Sequence, residues 1–299
     1  MSLRVAHIIP FFGHWPEWIE LYLYSCGRNP MMDFIFYTDC PLPKHRYKNT
    51  IFHSCSYEEY CQLVSERLNI RFLPKNAYKL IDIKPFVGAI HEKELKGYDF
   101  WGMGDLDLIY GDLTLLVNEE NLKKYHLITT HNYHIAGHFC LCRNNDYYRH
   151  LCFKIKDWMA KLQDDEAFAL DEGEWSGLAC PQVRNIRRLY RYLFKYLGVD
   201  VWKYRDRMNS CMMPHKLIKE YWTSPQPHEG QSWVYDLSNG KIIDDNGREL
   251  PYLHFLFFKK TKWLETERYW REGYWTLDNE FEEYKKIVFS IDEVKGVLR

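Results

Sequence analysis

Three aspartates, Asp105, Asp107 and Asp112, interrupt an otherwise aromatic, aliphatic and glycine-rich run, "FWGMGDLDLIYGDL", residues 100–113. Asp105 and Asp107 are two residues apart, and in an extended strand such residues project on the same side. Two carboxylates at the end of a buried strand repel each other and resist desolvation, so they need a cation or several donors. Oxygen ligands suit a hard divalent ion such as Mg2+ or Mn2+. Gly102 and Gly104 let a ligand approach the backbone closely. An acidic turn after a strand would show the same spacing. Asp112 lies beyond Gly111 and reads as a cap for the next turn of chain.

Other carboxylates and imidazoles could do chemistry. "FALDEGEWSG" places Asp171, Glu172 and Glu174 beside Trp175 and two glycines. Asp171 or Glu172 could serve as a general base, and a solvated acidic loop would look alike. His131, His134 and His138 are spaced three and four apart. On a helix they would form a zinc face, but Gly137 and the strand-like "HFCLCR" argue for polar loop histidines. Walker, Gly-x-Gly-x-x-Gly, Gly-x-Ser-x-Gly and His-Glu-x-x-His motifs are absent.

The elements that must position these groups come in an α/β order. "RVAHIIPFFG", "DFIFYTDCPLP" and "NTIFHSCS" read as strands, and "EWIELYLYSCGRNP" as a helix stopped by Gly27 and Pro30. "SYEEYCQLVSERLN" opens on a Ser56/Glu59 capping box. "KLIDIKPFVGAIHEKELKG" is amphipathic, with Pro85 starting or kinking its helical part. The run 100–113 then supplies another strand, which gives a mostly parallel sheet flanked by helices. "YHLITTHNYHIAGHFCLCRNN" reads as two strands around a turn. Asn239-Gly240 and Asn246-Gly247 mark hairpins. The tail "FEEYKKIVFSIDEVKGVLR" reads as helix.

The chain has 299 residues, 46% hydrophobic and 27% charged, with a net charge of -1. That balance argues against a nucleic-acid partner. Aromatics reach 17%, which suits either stacking on sugars and flat ligands or a core of large side chains. Nine scattered cysteines without a Cys-x-x-Cys pair fit reduced thiols in a cytoplasmic protein. No secretory signal is visible, and no apolar run approaches the roughly 20 residues of a membrane helix. Residues 184–207 hold eight Lys or Arg against two Asp. They read as a packing helix with a solvated basic face, or as a peripheral contact with an anionic membrane.

"YDFWGMGDLDLIYGDL", preceded by "KLIDIKPFVG", resembles the centre of a GT-A-type nucleotide-sugar glycosyltransferase, as in bacterial proteins of polysaccharide gene clusters. The resemblance implies a GT-A-like (Rossmann-like) sheet in one domain, 1–299. A nucleotide-sugar-binding half would span 4–113, an acceptor half 114–260 and a helical tail 261–299. It implies that Asp105 and Asp107 bind Mn2+ or Mg2+ carried by a UDP- or GDP-linked sugar. Asp82, Lys84 and Lys79 would face that donor. Phe11 and Phe12 would receive the nucleoside, and Thr38 and Asp39 would meet base or ribose. His138 would contact a sugar hydroxyl. In "LPYLHFLFFKKTKW", His254 would complete the metal shell and Lys259 or Lys260 would meet the phosphates.

The expected activity is therefore metal-dependent sugar transfer to a glycan or lipid-linked glycan, in bacterial surface polysaccharide synthesis. A retaining enzyme would need no base. A metal-dependent phosphohydrolase and a catalytically silent carbohydrate-binding protein are the alternatives. Oligomeric state is not legible.

Overall fold

The computed structural model describes residues 3–130, 135–179, 192, 193, 196–198, 232–254, 275–277, 281–290 and 292–298. His131, His134, Lys259 and Lys260 lie outside the described residues, as does nearly all of the basic stretch 184–207.

The strands are β1 (Val5–Pro10), β2 (Met32–Thr38), β3 (Thr50–Ser54), β4 (Phe100–Gly104), β5 (Leu108–Tyr110), β6 (Leu127–Thr129) and β7 (Phe139–Arg143), then β8 (Ser232–Asp236), β9 (Lys241–Asp244), β10 (Glu249–Leu250), β11 (Tyr252–His254), β12 (Tyr284–Ser290) and β13 (Val294–Leu298). A central six-stranded sheet runs in the order β3-β2-β1-β4-β7-β6. Its first four strands are parallel, and β7 and β6 add antiparallel pairings. Helices cover it, so the fold is mixed α/β.

Both faces of this sheet are buried, which is why its strands are apolar runs rather than alternations. Val5, Ile9, Phe34, Phe36 and Phe100 face helix α1 (Ile19–Gly27) and the residues of β8–β13. Ala6, Ile8, Ile35, Tyr37, Trp101 and Met103 face helix α2 (Tyr57–Leu68) and residues 80–90. Each large apolar side chain taken out of water in this way contributes about 1.5–3 kcal/mol.

Helix α2 begins as the sequence indicates. Glu59 N–H donates to Ser56 Oγ at 3.1 Å, and Ser56 N–H donates to Glu59 Oε2 at 2.7 Å. Pro85 sits inside a 3-10 helix, Ala77–Phe86, and a short α-turn, Val87–Ile90, comes next. Proline has no N–H to donate, so its own helical bond is missing there, and the α-turn starts at Val87.

A second sheet, in the order β10-β9-β8-β12-β13, is wholly antiparallel. Gly240 (φ 72°) and Gly247 (φ 74°) close two of its hairpins, as the Asn-Gly pairs indicate. The tail departs from expectation, because Tyr284–Ser290 and Val294–Leu298 form strands rather than helix. Glu283 and Lys286 mimic a helical charge pair, yet Ile287 and Phe289 are buried at a spacing of two. Pairing of β12 with β8 overrides the local pattern. Among the described residues, no helix is long and apolar enough to cross a membrane.

Candidate functional site

The carboxyl ends of β1, β2 and β4 open at one edge of the parallel sheet, where α/β folds form their crevice. The loops after β1 and β2 are stitched together there. Gly13 N–H donates to Asp39 Oδ1 at 2.8 Å, and Trp15 Nε1 donates to Pro41 O at 2.7 Å. Gly13 has φ 107°, which favours glycine. Half-buried Phe11 stacks on Trp15, with ring centres 5.2 Å apart and planes 6° from parallel. Phe12 packs inward against Tyr57 and Tyr60, and Thr38 Oγ1 accepts from Cys40 N–H. Phe11 and Asp39 thus present a ring and a carboxylate at the crevice, whereas Phe12 and Thr38 support the loops.

Asp105 and Asp107 do not lie in one extended strand. β4 ends at Gly104, residues 105–107 bend, and β5 starts at Leu108 in a separate two-stranded sheet with β11. Leu106 turns into the core, and its carbonyl accepts from Trp18 Nε1 at 2.6 Å. The same-face geometry expected for the two carboxylates is therefore corrected, since each takes its own partner. Asp105 Oδ1 pairs with Lys84 Nζ at 2.7 Å. Asp107 Oδ2 pairs with His254 Nε2 at 3.3 Å, both side chains buried. The β5–β11 register, with His254 opposite Leu108, brings that histidine from the far end of the sequence.

His138 builds a wall behind this pair. Its ring stacks on His254 at 4.1 Å and 25°. Its Nε2 bonds the hydroxyl of Tyr252 at 2.9 Å, and that hydroxyl also donates to Thr130 Oγ1. Its carbonyl accepts from Asp105 N–H at 3.1 Å. His138 is itself buried, and these contacts make it a support of His254 and of the 105–107 bend.

Lys84 stands on the last turn of the 3-10 helix, between Asp105 and Asp171, whose Oδ2 lies 3.6 Å from its Nζ. Burial pulls the Lys84 ammonium toward neutrality, but Asp105 and Asp171 outweigh it and hold the group above the usual lysine range. Burial pushes Asp171 above the usual carboxylate range, against the pull of Lys84. Asp171 Oδ1 accepts from Glu172 N–H at 2.9 Å. Asp171 is buried and Glu172 exposed.

Lys79 and Asp82 correct the sequence expectation. Their side chains, 1% and 0% exposed, pair at 2.9 Å inside the protein. Asp82 accepts from Phe168 and Leu170 N–H, and Lys79 donates to the carbonyls of Lys161 and Glu166. A buried ion pair holds only when such extra bonds satisfy it. The pair anchors the segment leading into Asp171.

Two further features are not signalled by the motif. His7, in the middle of β1, is fully buried, and neither ring nitrogen has a hydrogen-bond partner among the described residues. Its ring lies against β4, where a Cβ at Gly102 or Gly104 would come within 2.5 or 2.4 Å of it. A Cβ at Gly137 would come within 2.2 Å of Asp171 Oδ2. A glycine beside an acidic loop carries this message only once the fold has brought the two together.

In kind, two carboxylates and an imidazole fit Mn2+ or Mg2+. Asp107 and His254 already meet, and Asp105 is held by Lys84. Among the described residues, no three His, Cys, Asp or Glu side chains yet converge on one point.

An α/β chain with an acidic, lysine-bridged crevice at its strand ends is the class that fold and site define. The chain belongs to the family of unknown function DUF6625, whose model matches residues 7–285. No curated protein matches it. Among solved structures, the galactosyltransferase LgtC in complex with donor and acceptor sugar analogues is similar at 12% identity and a TM-score of 0.34, over 56% of this chain and 71% of that one. The apo form of the glycosyltransferase GlyE of Streptococcus pneumoniae TIGR4 is similar at 13% identity and a TM-score of 0.32, over 91% of this chain and 57% of that one. TM-scores below 0.5 leave the fold to be read from the sheet order itself.

Proposed function

We propose that the chain is a GT-A-type glycosyltransferase that moves a sugar from a nucleotide donor to a glycan or lipid-linked glycan. The observation that carries this reading is the meeting of Asp107 with His254 beside the Lys84–Asp105 pair, at the carboxyl end of the parallel strands. Phe11 would stack the nucleobase, and Asp39 would accept from the base or ribose. The Lys84 ammonium, between Asp105 and Asp171, would face the diphosphate. Asp107 and His254, with Asp105, would hold Mn2+ or Mg2+, and the ion would supply Lewis-acid charge to the departing diphosphate.

Asp171 would take the proton of the acceptor hydroxyl. Its raised proton affinity suits a general base, which works best when its pKa lies near the working pH. The Lys79–Asp82 brace would keep that carboxylate in place. A role in bacterial surface polysaccharide synthesis would come with such an acceptor.

A thermal-shift panel of nucleotide sugars tests the reading, because a donor that binds the folded state raises its melting temperature. A UDP- or GDP-linked sugar that stabilises the protein more than sugar alone supports it. Stabilisation by free sugars only would instead indicate a carbohydrate-binding module. Turnover of simple phosphoesters without sugar transfer would indicate a phosphohydrolase.

A further inference from the structure

Lys84 holds two carboxylates at unequal distances. Its Nζ is bonded to Asp105 at 2.7 Å, while Asp171 waits at 3.6 Å. Asp107 also acts on it electrostatically. Asp105 and Asp171 thus flank one ammonium, two formal negative charges against one positive. The side chains differ in access, with Lys84 13% exposed and Asp105 36%. An ion arriving from solvent reaches Asp105 from outside, and the lysine holds it from within. The other two donors, Asp107 and His254, already face each other at 3.3 Å. Lys84 therefore engages the remaining donor of the proposed set.

We propose that Lys84 is an exchangeable internal counter-cation: it competes with a divalent ion for Asp105, and on release its ammonium passes to Asp171. This rests on the metal-site part of the reading above. The exchange makes and breaks no covalent bond. The ion gains Asp105, and Lys84 trades one carboxylate partner for another. It also links ion binding to the proposed base, because Asp171 would then gain the ammonium at closer range. Lys84 is a positioning residue in this scheme.

The test is Mn2+ titration of the whole chain, with free Mn2+ measured by electron paramagnetic resonance and no nucleotide present. If Lys84 competes, Lys84→Met binds Mn2+ about tenfold more tightly than wild type, because an opposing charge at contact distance is gone. Its melting temperature, lowered without the ion, also rises more on adding Mn2+ than that of wild type. Lys84→Gln, which keeps a polar head, serves if Lys84→Met does not fold, and the same tightening is expected. Equal or weaker Mn2+ binding by a folded Lys84 variant overturns the proposal and leaves Lys84 a structural cation. Absence of Mn2+ binding from both wild type and variant overturns it too. Sugar transfer is then judged separately, by release of nucleoside diphosphate from nucleotide sugars in the presence of a chelator.

Discussion

His254 Nε2 meets Asp107 Oδ2 at 3.3 Å across the β5–β11 pairing, with His138 stacked 4.1 Å behind it. A carboxylate and an imidazole far apart in the sequence thus share one buried corner of the crevice. Removing either leaves the other buried with one partner fewer, so the contact bears on stability as well as on ligand binding.

The wall behind that contact is testable through Tyr252. Its hydroxyl joins His138 to Thr130. Tyr252→Phe is expected to cost about 1–3 kcal/mol, since it leaves buried polar atoms without a bond. Urea unfolding measures the loss, and nucleotide affinity should fall with it as His254 loses its support. A variant as stable as wild type would remove the wall from the account.

Lys79 and Asp82 are assigned to structure. Asp82→Ala is expected to cost about 3–5 kcal/mol, because it strands a buried ammonium. Folded Lys79→Met protein should keep the nucleotide affinity of wild type while unfolding at lower urea. A selective loss of nucleotide binding at unchanged stability would return both residues to the donor site.

Gly137 packs against the proposed base. In Gly137→Ala the new Cβ would fall 2.2 Å from Asp171 Oδ2, so the carboxylate must move. The expected result is a fall in transfer rate of about tenfold or more with the donor KM little changed, since misplacing a catalytic group by about 1 Å costs on the order of 100-fold. Unchanged turnover would show that Asp171 is not the base.

Two buried histidines set an acid limit on stability. Burial lowers His7 and His91 to about 3. Near His7, Asp105 opposes the shift and Lys84 adds to it, and near His91 Arg67 and His53 add to it. The folded state therefore binds fewer protons than the unfolded chain between that value and the ordinary imidazole value of about 6.5. Stability is complete above that window and falls as pH drops through it. The loss from pH 6.5 to 5 is about 2 kcal/mol per histidine. His7→Leu should flatten the slope by one histidine's share, as read from urea midpoints across this range. An unchanged slope would show that His7 titrates normally.

Local rules account for much of what was legible in the sequence. Ser56 and Glu59 start α2 because both halves of a capping box lie within one turn. β1 and β2 are apolar because both faces are covered, and Asn-Gly pairs mark the hairpins because those turns need a positive φ. The failures are non-local. Tyr284–Ser290 became strand because β8 offers an edge, which no local charge pattern reveals. Asp105 and Asp107 parted because β5 leaves the central sheet to pair with β11. His254 could be placed beside Asp107 only by family likeness, and the same likeness misplaced Asp82, whose carboxylate turns toward residues 168 and 170.

If Asp107 belongs to a metal-assisted nucleotide site, its loss should abolish the help Mn2+ gives to nucleotide binding. The most direct measurement is calorimetric titration of UDP and GDP, with and without Mn2+, into wild type and Asp107→Ala. Mn2+ is expected to strengthen binding of one nucleotide to wild type by about tenfold or more, the scale of a charge-assisted contact, and Asp107→Ala is expected to lose this gain. Equal, metal-independent binding by both proteins would contradict it.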